Sequence, residues 1–209
     1  NHLPREKVEG RRVLEVGSRN INGSIRFMIE SYGPAEYIGV DISKGPGVDQ
    51  ICGISNLTSK FGKSRFDIVV CTEVIEHVFD WSNAITNLKQ VLCANGLLLV
   101  TTSSRGFPYH GFPFYYWRFE HCDFERIFSD MNIISIEHDS TDPGIFILAV
   151  KPQEYITNSH NDLPVYSMLT NNRVIQIDAI DQMLGFLRYF QLIGFFSSIL
   201  PDRIKALLK

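Results

Sequence analysis

The sequence predicts a doubly wound α/β fold, and three observations carry that reading. Arg12 to Ser24 (RVLEVGSRNINGS) runs from an apolar strand through an acid, Glu15, into a turn with Gly17 and Gly23, and a helical pattern (Ile25, Phe27, Met28, Ile29) follows. Phe66 to Cys71 is a continuous apolar run, as a parallel strand covered on both faces reads. Asn132 to His138 and Ile145 to Val150 are apolar or alternating runs around the turn Asp139 to Gly144, an antiparallel pair that ends the sheet. Strand, glycine turn and helix together form the unit with which an open α/β sheet makes a ligand site at the carboxyl end of a strand.

Glycine lacks a Cβ, so the chain turns tightly there and a ligand can approach the backbone. A dinucleotide site uses such a turn to seat a pyrophosphate on a helix N-terminus and carries GxGxxG. Here Ser18, Arg19, Asn20, Ile21 and Asn22 separate Gly17 from Gly23, and Glu15 would sit badly beside a phosphate, which disfavours a nicotinamide oxidoreductase. An acid just before the turn suits a ligand carrying positive charge, such as S-adenosylmethionine with its amino group and sulfonium. A second acid, Asp41, stands at the tip of the next strand in YIGVD.

These segments resemble a known family. VLEVGSRNINGS resembles motif I of class I S-adenosylmethionine-dependent methyltransferases, YIGVDIS their second strand, FDIVVCTEVIEHV their fourth, and LKQVLCANGLLLVTTS their next helix and fifth strand. The motifs stand in the family's order and at its spacing, over roughly Gly10 to Pro152. The likeness is greatest to the type 11-like branch, whose motif I ends in NGS and whose second strand is followed by GPGVD, as Gly45 to Asp49 is here. The resemblance implies a Rossmann-like sheet of seven strands, mostly parallel with the last antiparallel, and S-adenosylmethionine as cofactor. It implies methyl transfer to an oxygen or nitrogen of a small molecule, with sugars and surface-glycan precursors among the branch's acceptors. Implied cofactor contacts are Glu15, Gly17, Ser18, Gly23, Asp41, Ile42, Ile54, Thr72 and Glu73. Glu15 and the backbone near Gly17 would hold the methionine part, Asp41 the ribose hydroxyls, and the loop Thr72 to His77 would flank the sulfonium. The family often has an acid after its third strand, beside the adenine amino group. Cys52 to Leu57 here has none, so adenine recognition falls to backbone groups, Ile54 or Asn56. That departure leaves room for a rival reading, a methyltransferase-like partner protein without activity.

The remaining elements follow in order. The chain has 209 residues, 44% hydrophobic and 21% charged, which suits one globular domain with an appendage. A net charge of -3 gives no electrostatic footprint for nucleic acid. Cys52, Cys71, Cys93 and Cys122 show no CxxC spacing and read as reduced thiols in a cytoplasmic protein. No signal peptide is visible in a chain that starts at Asn1. Strand one is Arg12 to Val16, a helix follows to about Ser31, and Gly33-Pro34 stops it. Strand two is Glu36 to Val40, and a short third strand falls within Val48 to Cys52. After strand four, Glu73 and His77 are four apart and share a face if that segment is helical. A metal pair is conceivable there but has no evident third ligand, so no metal is expected; the blander reading has Glu76 and His77 tying the loop down. Trp81 to Leu92 reads as an amphipathic helix ended by Asn95-Gly96, with strand five at Leu97 to Thr101.

Arg105 to His121 (RGFPYHGFPFYYWRFEH) contains eight aromatic residues and two histidines in seventeen, and lies where the family places its acceptor loop. Aromatic faces attract a sulfonium, and a histidine can take a proton near neutral pH. His110, His77 and His121 are the candidate bases, and aromatic plugging of the sheet edge is the competing reading. Related sequences read H-x-x-P-x-D-Y-W-R-F-T, and here Tyr115 replaces the Asp and Glu120 the Thr. A helix is expected over Phe124 to Met131. After residue 152 the composition shifts, which divides the chain into a methyltransferase domain (1–152) and a C-terminal extension (153–209). Gln153 to Asn172 reads as a linker or surface loop, and Asp178 to Leu200 as an apolar helix interrupted by Arg188. That helix would pack on the body or on a second subunit as a homodimer, or else lie on a membrane surface.

Overall fold

The computed structural model describes residues 2–21, 23–108, 115–160 and 162–183. In chain order the helices are α1 (Arg5–Val8), α2 (Arg26–Glu30), α3 (Leu57–Phe61), α4 (Trp81–Val91) and α5 (His121–Ile127). The strands are β1 (Arg12–Val16), β2 (Glu36–Asp41), β3 (Gln50–Ile51), β4 (Phe66–Thr72), β5 (Leu92–Ser103), β6 (Trp117–Arg118), β7 (Asn132–His138), β8 (Gly144–Val150), β9 (Val165–Ser167) and β10 (Asn172–Val174). Seven of them form one sheet in the order β3-β2-β1-β4-β5-β8-β7. The pairs from β3 to β5 are parallel, and β8 runs antiparallel to both of its neighbours. The expected seven-stranded sheet with an antiparallel last strand is therefore present.

Side chains alternate across a strand with period two, which sorts the core into two layers. Leu14, Val16, Val69, Cys71, Leu98 and Val100 share one layer with Trp81, Leu88 and Phe124 of α4 and α5. Val13, Ile68, Val70, Leu97 and Leu99 share the other with Val8 of α1 and Ile29 of α2. Burial on both faces is why β4 reads as an unbroken apolar run. Strand order reverses between β1 and β4, and in open α/β sheets the crevice at such a reversal is where ligands bind.

Two local differences have identifiable causes. β5 begins at Leu92, five residues earlier than expected, because Leu92 pairs with Phe66 before a bulge and Leu97 with Ile68 after it. Asn95 takes a left-handed conformation (φ 60°) in that bulge, and Lys151 Nζ donates to the carbonyls of Lys89 (2.8 Å) and Leu92 (2.7 Å) at the end of α4. α5 starts at His121, three residues early, because Asp123 accepts the Glu120 N–H (2.9 Å) and caps the helix.

The segment expected to be a linker is instead structured. β9 and β10 form a hairpin that joins β6 in a three-stranded antiparallel sheet. Leu163, Val165, Leu169 and Ile177 are buried with the main core, and Arg173 pairs with the buried Asp123 of α5. Apolar residues this widely spaced among polar ones carry no strong periodic signal, and only pairing with β6 gives them a surface to cover. At the start of the expected apolar helix, Asp178 and Asp181 cap each other's backbone N–H groups (3.1 and 2.7 Å). From residue 184 onward that helix, with its packing, homodimer or membrane-surface alternatives, lies outside the described residues. No helix among the described residues is long and apolar enough to cross a membrane.

His160 packs its ring near Trp81 (5.9 Å between centroids), and its Nε2 is buried without a hydrogen-bond partner among the described residues. Burial lowers this imidazole from 6.5 to about 4. The unfolded chain takes a proton at His160 below pH 6.5, and the fold accepts one only near pH 4. The stability held by neutral His160 is thus complete above pH 6.5 and is lost as pH falls from 6.5 towards 4. In urea unfolding across this range, wild type should lose more stability than His160→Phe, which keeps a ring against Trp81. Parallel losses in the two proteins would show that His160 is not responsible.

Candidate active site

The carboxyl ends of β1, β2, β4 and β5 converge on one mouth. Gly17 leaves β1 at φ 82°, and a Cβ there would overlap Val74 Cγ2. The N–H groups of Gly17 and Ser18 both donate to Val40 O (2.8 and 3.0 Å), bending the chain over the end of β2. The turn at Gly45 to Gly47 packs against this loop: Asn20 N–H donates to Pro46 O (2.8 Å), and a Cβ on Gly47 would lie 2.5 Å from Ser18 O. Gly23, at φ 135°, is exposed, and its N–H donates to Asn20 Oδ1 (3.2 Å).

Beneath the turn lies a buried polar layer. Glu15 Oε2 accepts the Tyr37 hydroxyl, and Oε1 accepts no hydrogen bond from the described residues. Burial raises the Glu15 carboxyl, against the opposing effects of Tyr37 and of Arg26. Arg26 lies over the Tyr37 ring (4.5 Å) and pairs with Asp49 and Glu30. Ser18 is buried with its Oγ unpartnered among the described residues, directed at Gly39 of β2. At the tip of β2, Asp41 is half-buried; its Oδ1 accepts the Ser43 N–H (2.8 Å), and its Oδ2 accepts nothing from the described residues. Ile42 beside it is 75% exposed, whereas Ile54 is only 6% exposed and belongs to the core. No acid follows β3.

After β4 the chain does not continue as a helix. Glu73 is left-handed (φ 53°), and Ile75–His77 makes a single 3-10 turn. Glu73 and His77 therefore do not share a helical face. Glu73 accepts a hydrogen bond from the Thr101 hydroxyl (2.7 Å) and the fully buried Glu76 one from Thr102 (2.8 Å), and Ser103 Oγ lies within hydrogen-bond distance of both carboxyls (3.3 Å from Glu73, 3.2 Å from Glu76). Partial burial, the Glu76 charge and a hydrogen bond to it push the Glu73 carboxyl up to about 7, and burial raises Glu76 as well. Glu76 thus ties the loop to β5, as the blander reading had it. Tyr115, also fully buried, donates to Ser103 Oγ (2.9 Å). Its ring lies between His77 (4.8 Å, stacked) and the Arg118 guanidinium (3.8 Å).

The structure thus brings together Gly17, Thr72, Glu73 and His77, with Asp41 and Ile42 one strand away. His121 opens α5, near His138 of β7 (5.8 Å between ring centroids) and Glu125 (3.6 Å). His110 lies outside the described residues. Among the described residues no group of His, Cys, Asp and Glu is arranged to hold a metal, and the four cysteines are unpaired. Sequence reading missed the hydroxyl row Thr101, Thr102 and Ser103. Its signal was present: a TTS run ending β5 beside an ExxE turn ending β4.

Sheet order, the antiparallel β8 and the glycine turn after β1 define the Rossmann-like fold of class I methyltransferases. The model of the methyltransferase-domain family matches residues 2–134, and the chain belongs to that family. No curated protein matches it at a significant level. Among solved structures it is similar to a chain from the complex of the Haloferax volcanii Trm112 methyltransferase activator with a methyltransferase (12% identity, TM-score 0.58, 71% of this chain and 85% of that one). It is similar to Burkholderia thailandensis 1,6-didemethyltoxoflavin-N1-methyltransferase with bound 1,6-didemethyltoxoflavin and S-adenosylhomocysteine (14% identity, TM-score 0.57, 69% and 72%). A third is Haemonchus contortus phosphoethanolamine N-methyltransferase 2 in complex with S-adenosyl-L-methionine (19% identity, TM-score 0.55, 70% and 50%).

Because Val74 occupies the space a Gly17 side chain would need, Gly17→Ala should cost about 1–3 kcal/mol by overpacking and backbone strain. Val74→Ala in the same chain should recover the overpacking part but not the strain at positive φ. Urea unfolding of the double-mutant cycle measures this, and strict additivity would exclude the contact.

Proposed function

We propose that this chain transfers a methyl group from S-adenosylmethionine to an oxygen or nitrogen of a small molecule, with sugars or surface-glycan precursors as the acceptor class suggested by the branch its motifs resemble. The observation that carries the reading is Asp41: a half-buried carboxylate at the tip of β2 with Oδ1 committed to Ser43 and Oδ2 unused, beside a turn opened by Gly17. A carboxylate so placed suits two vicinal hydroxyls. The side-chain-free turn lets a ligand approach the backbone, and the acids Glu15 and Glu73 suit a ligand bearing positive charge. The same acids make a poor phosphate site.

When bound, S-adenosylmethionine supplies a methyl group activated by its sulfonium. Asp41 holds the ribose hydroxyls, with Ile42 beside them. Glu15 and the backbone of Gly17, Ser18 and Gly23 hold the methionine part. Thr72 and Glu73 flank the sulfonium, and backbone groups around Ile54 serve the adenine in place of the missing acid. His77 on the Tyr115 ring and His110 in the acceptor loop are the imidazoles that orient an acceptor. Most of the rate then comes from alignment of acceptor and methyl group. Residues 1–152 form the transferring domain and 153–209 its extension, with the cytoplasm as the compartment.

Calorimetric titration should show binding of both S-adenosylmethionine and S-adenosylhomocysteine. Asp41→Ala should weaken each by about tenfold or more, the loss of charge-assisted hydrogen bonds. Failure of the folded protein to bind either ligand would favour the rival reading, a methyltransferase-like partner without activity.

A further inference from the structure

Two carboxyl groups, one serine and one tyrosine close a hydrogen-bond circuit at the mouth between β4 and β5. A serine hydroxyl has one proton to give and two lone pairs to receive with. Tyr115 donates to one lone pair of Ser103 Oγ (2.9 Å), which leaves one lone pair and one proton for Glu73 (3.3 Å) and Glu76 (3.2 Å). Ser103 can satisfy both carboxyls only when one of them is protonated and donates to it while the other accepts from it. The second hydroxyl at each carboxyl, Thr101 on Glu73 (2.7 Å) and Thr102 on Glu76 (2.8 Å), holds the two groups in register with β5. Their accessibility differs: Glu76 is fully buried, and Glu73 reaches solvent at the mouth.

We propose that Glu73 is the proton acceptor for the methyl acceptor, with Glu76, Ser103 and Tyr115 as its positioning residues. This rests on the methyltransferase reading above. As the acceptor's oxygen or nitrogen takes the methyl carbon and sulfur keeps the electron pair of the broken carbon–sulfur bond, the acceptor's proton passes to a Glu73 oxygen. With Glu73 and Glu76 both ionised the circuit is one proton short; once the acceptor's proton is on Glu73, that carboxyl donates to Ser103 Oγ, whose own proton points to the Glu76 carboxylate, and the circuit is complete. Glu73 is held at the mouth by its left-handed backbone and by its N–H bond to Thr101 O (3.0 Å). The adjacent Val74 packs against Gly17, so the carboxyl stands beside the turn assigned to the methionine part. Facing it are Glu76 with His77 Nε2 4.0 Å from its Oε1, the buried Cys71 thiol at the end of β4, and Tyr115 with Arg118 over its ring behind Ser103. The carboxyl's midpoint near 7 suits a group that must be ionised to receive a proton and able to keep it.

Carbon-13 NMR of glutamate-labelled protein without ligand should find one carboxyl titrating near pH 7 that is lost in Glu73→Gln. Glu76→Gln should move its midpoint down, by removing the neighbouring acid, and Ser103→Ala should move it up, by removing a donor. Calorimetry near pH 7 in buffers of different ionisation enthalpy should show more proton release with cationic S-adenosylmethionine than with S-adenosylhomocysteine, and Glu73→Gln should abolish the difference. A Glu73 carboxyl titrating in the ordinary carboxylate range, below about pH 5, would overturn the proposal. So would equal proton release with the two ligands, while their binding would leave the methyltransferase reading standing. Absence of binding would sink both.

Discussion

Gly17 has no side chain, and Val74 occupies the space that one would take. The mouth depends on this exchange. It brings the turn after β1 and the turn after β4 into contact across the point where strand order reverses, and it requires two left-handed residues in sequence-distant places, Gly17 and Glu73. Glycine takes that conformation without steric cost; glutamate does not. Glu73 is held there by its backbone bond to β5 and by the hydroxyls its carboxylate reaches. Strain of this kind persists only when the surroundings over-determine it.

The acids around the mouth are held in two different ways. Glu15 lies beneath the first turn, with Tyr37 as its donor and the Arg26 cation above that ring. Glu73 and Glu76 have neutral hydroxyls as their side-chain donors, and His77 Nε2 stands 4.0 Å from Glu76 Oε1. A carboxylate bonded only to hydroxyls beside a second carboxylate holds its proton more tightly than one near a guanidinium. The two layers therefore differ in chemistry as well as in place. The first braces a loop, and the second can exchange a proton.

The extension after residue 152 bears on the same mouth. Trp117 of β6 donates its indole N–H to the carbonyls of Val78 and Phe79 (both 3.1 Å), and Tyr116 N–H donates to Glu76 O (2.9 Å). β9 covers β6, and β10 ties the hairpin to α5 through Arg173 and Asp123. The residues that follow the aromatic loop are thus clamped between the Glu76 turn and a sheet supplied by the extension.

The sequence by itself determined the strands of the seven-stranded sheet and the turns that end them. The apolar runs of β1 and β4, the Gly17 and Gly23 turn, the acid at the tip of β2 and the antiparallel closing pair are local patterns. They act within a few residues, so they are visible along the chain. Tertiary structure decided which side chains meet. That Ser103 stands between Glu73 and Glu76 follows from the register of β4 against β5, and that Tyr115 reaches Ser103 follows from the backbone bonds of Tyr116 to Glu76 and of Phe119 to Ser103. That Glu15 bonds Tyr37 follows from the register of β1 against β2. Register and strand order are set by contacts between residues far apart in the chain, and no local pattern of one strand records them.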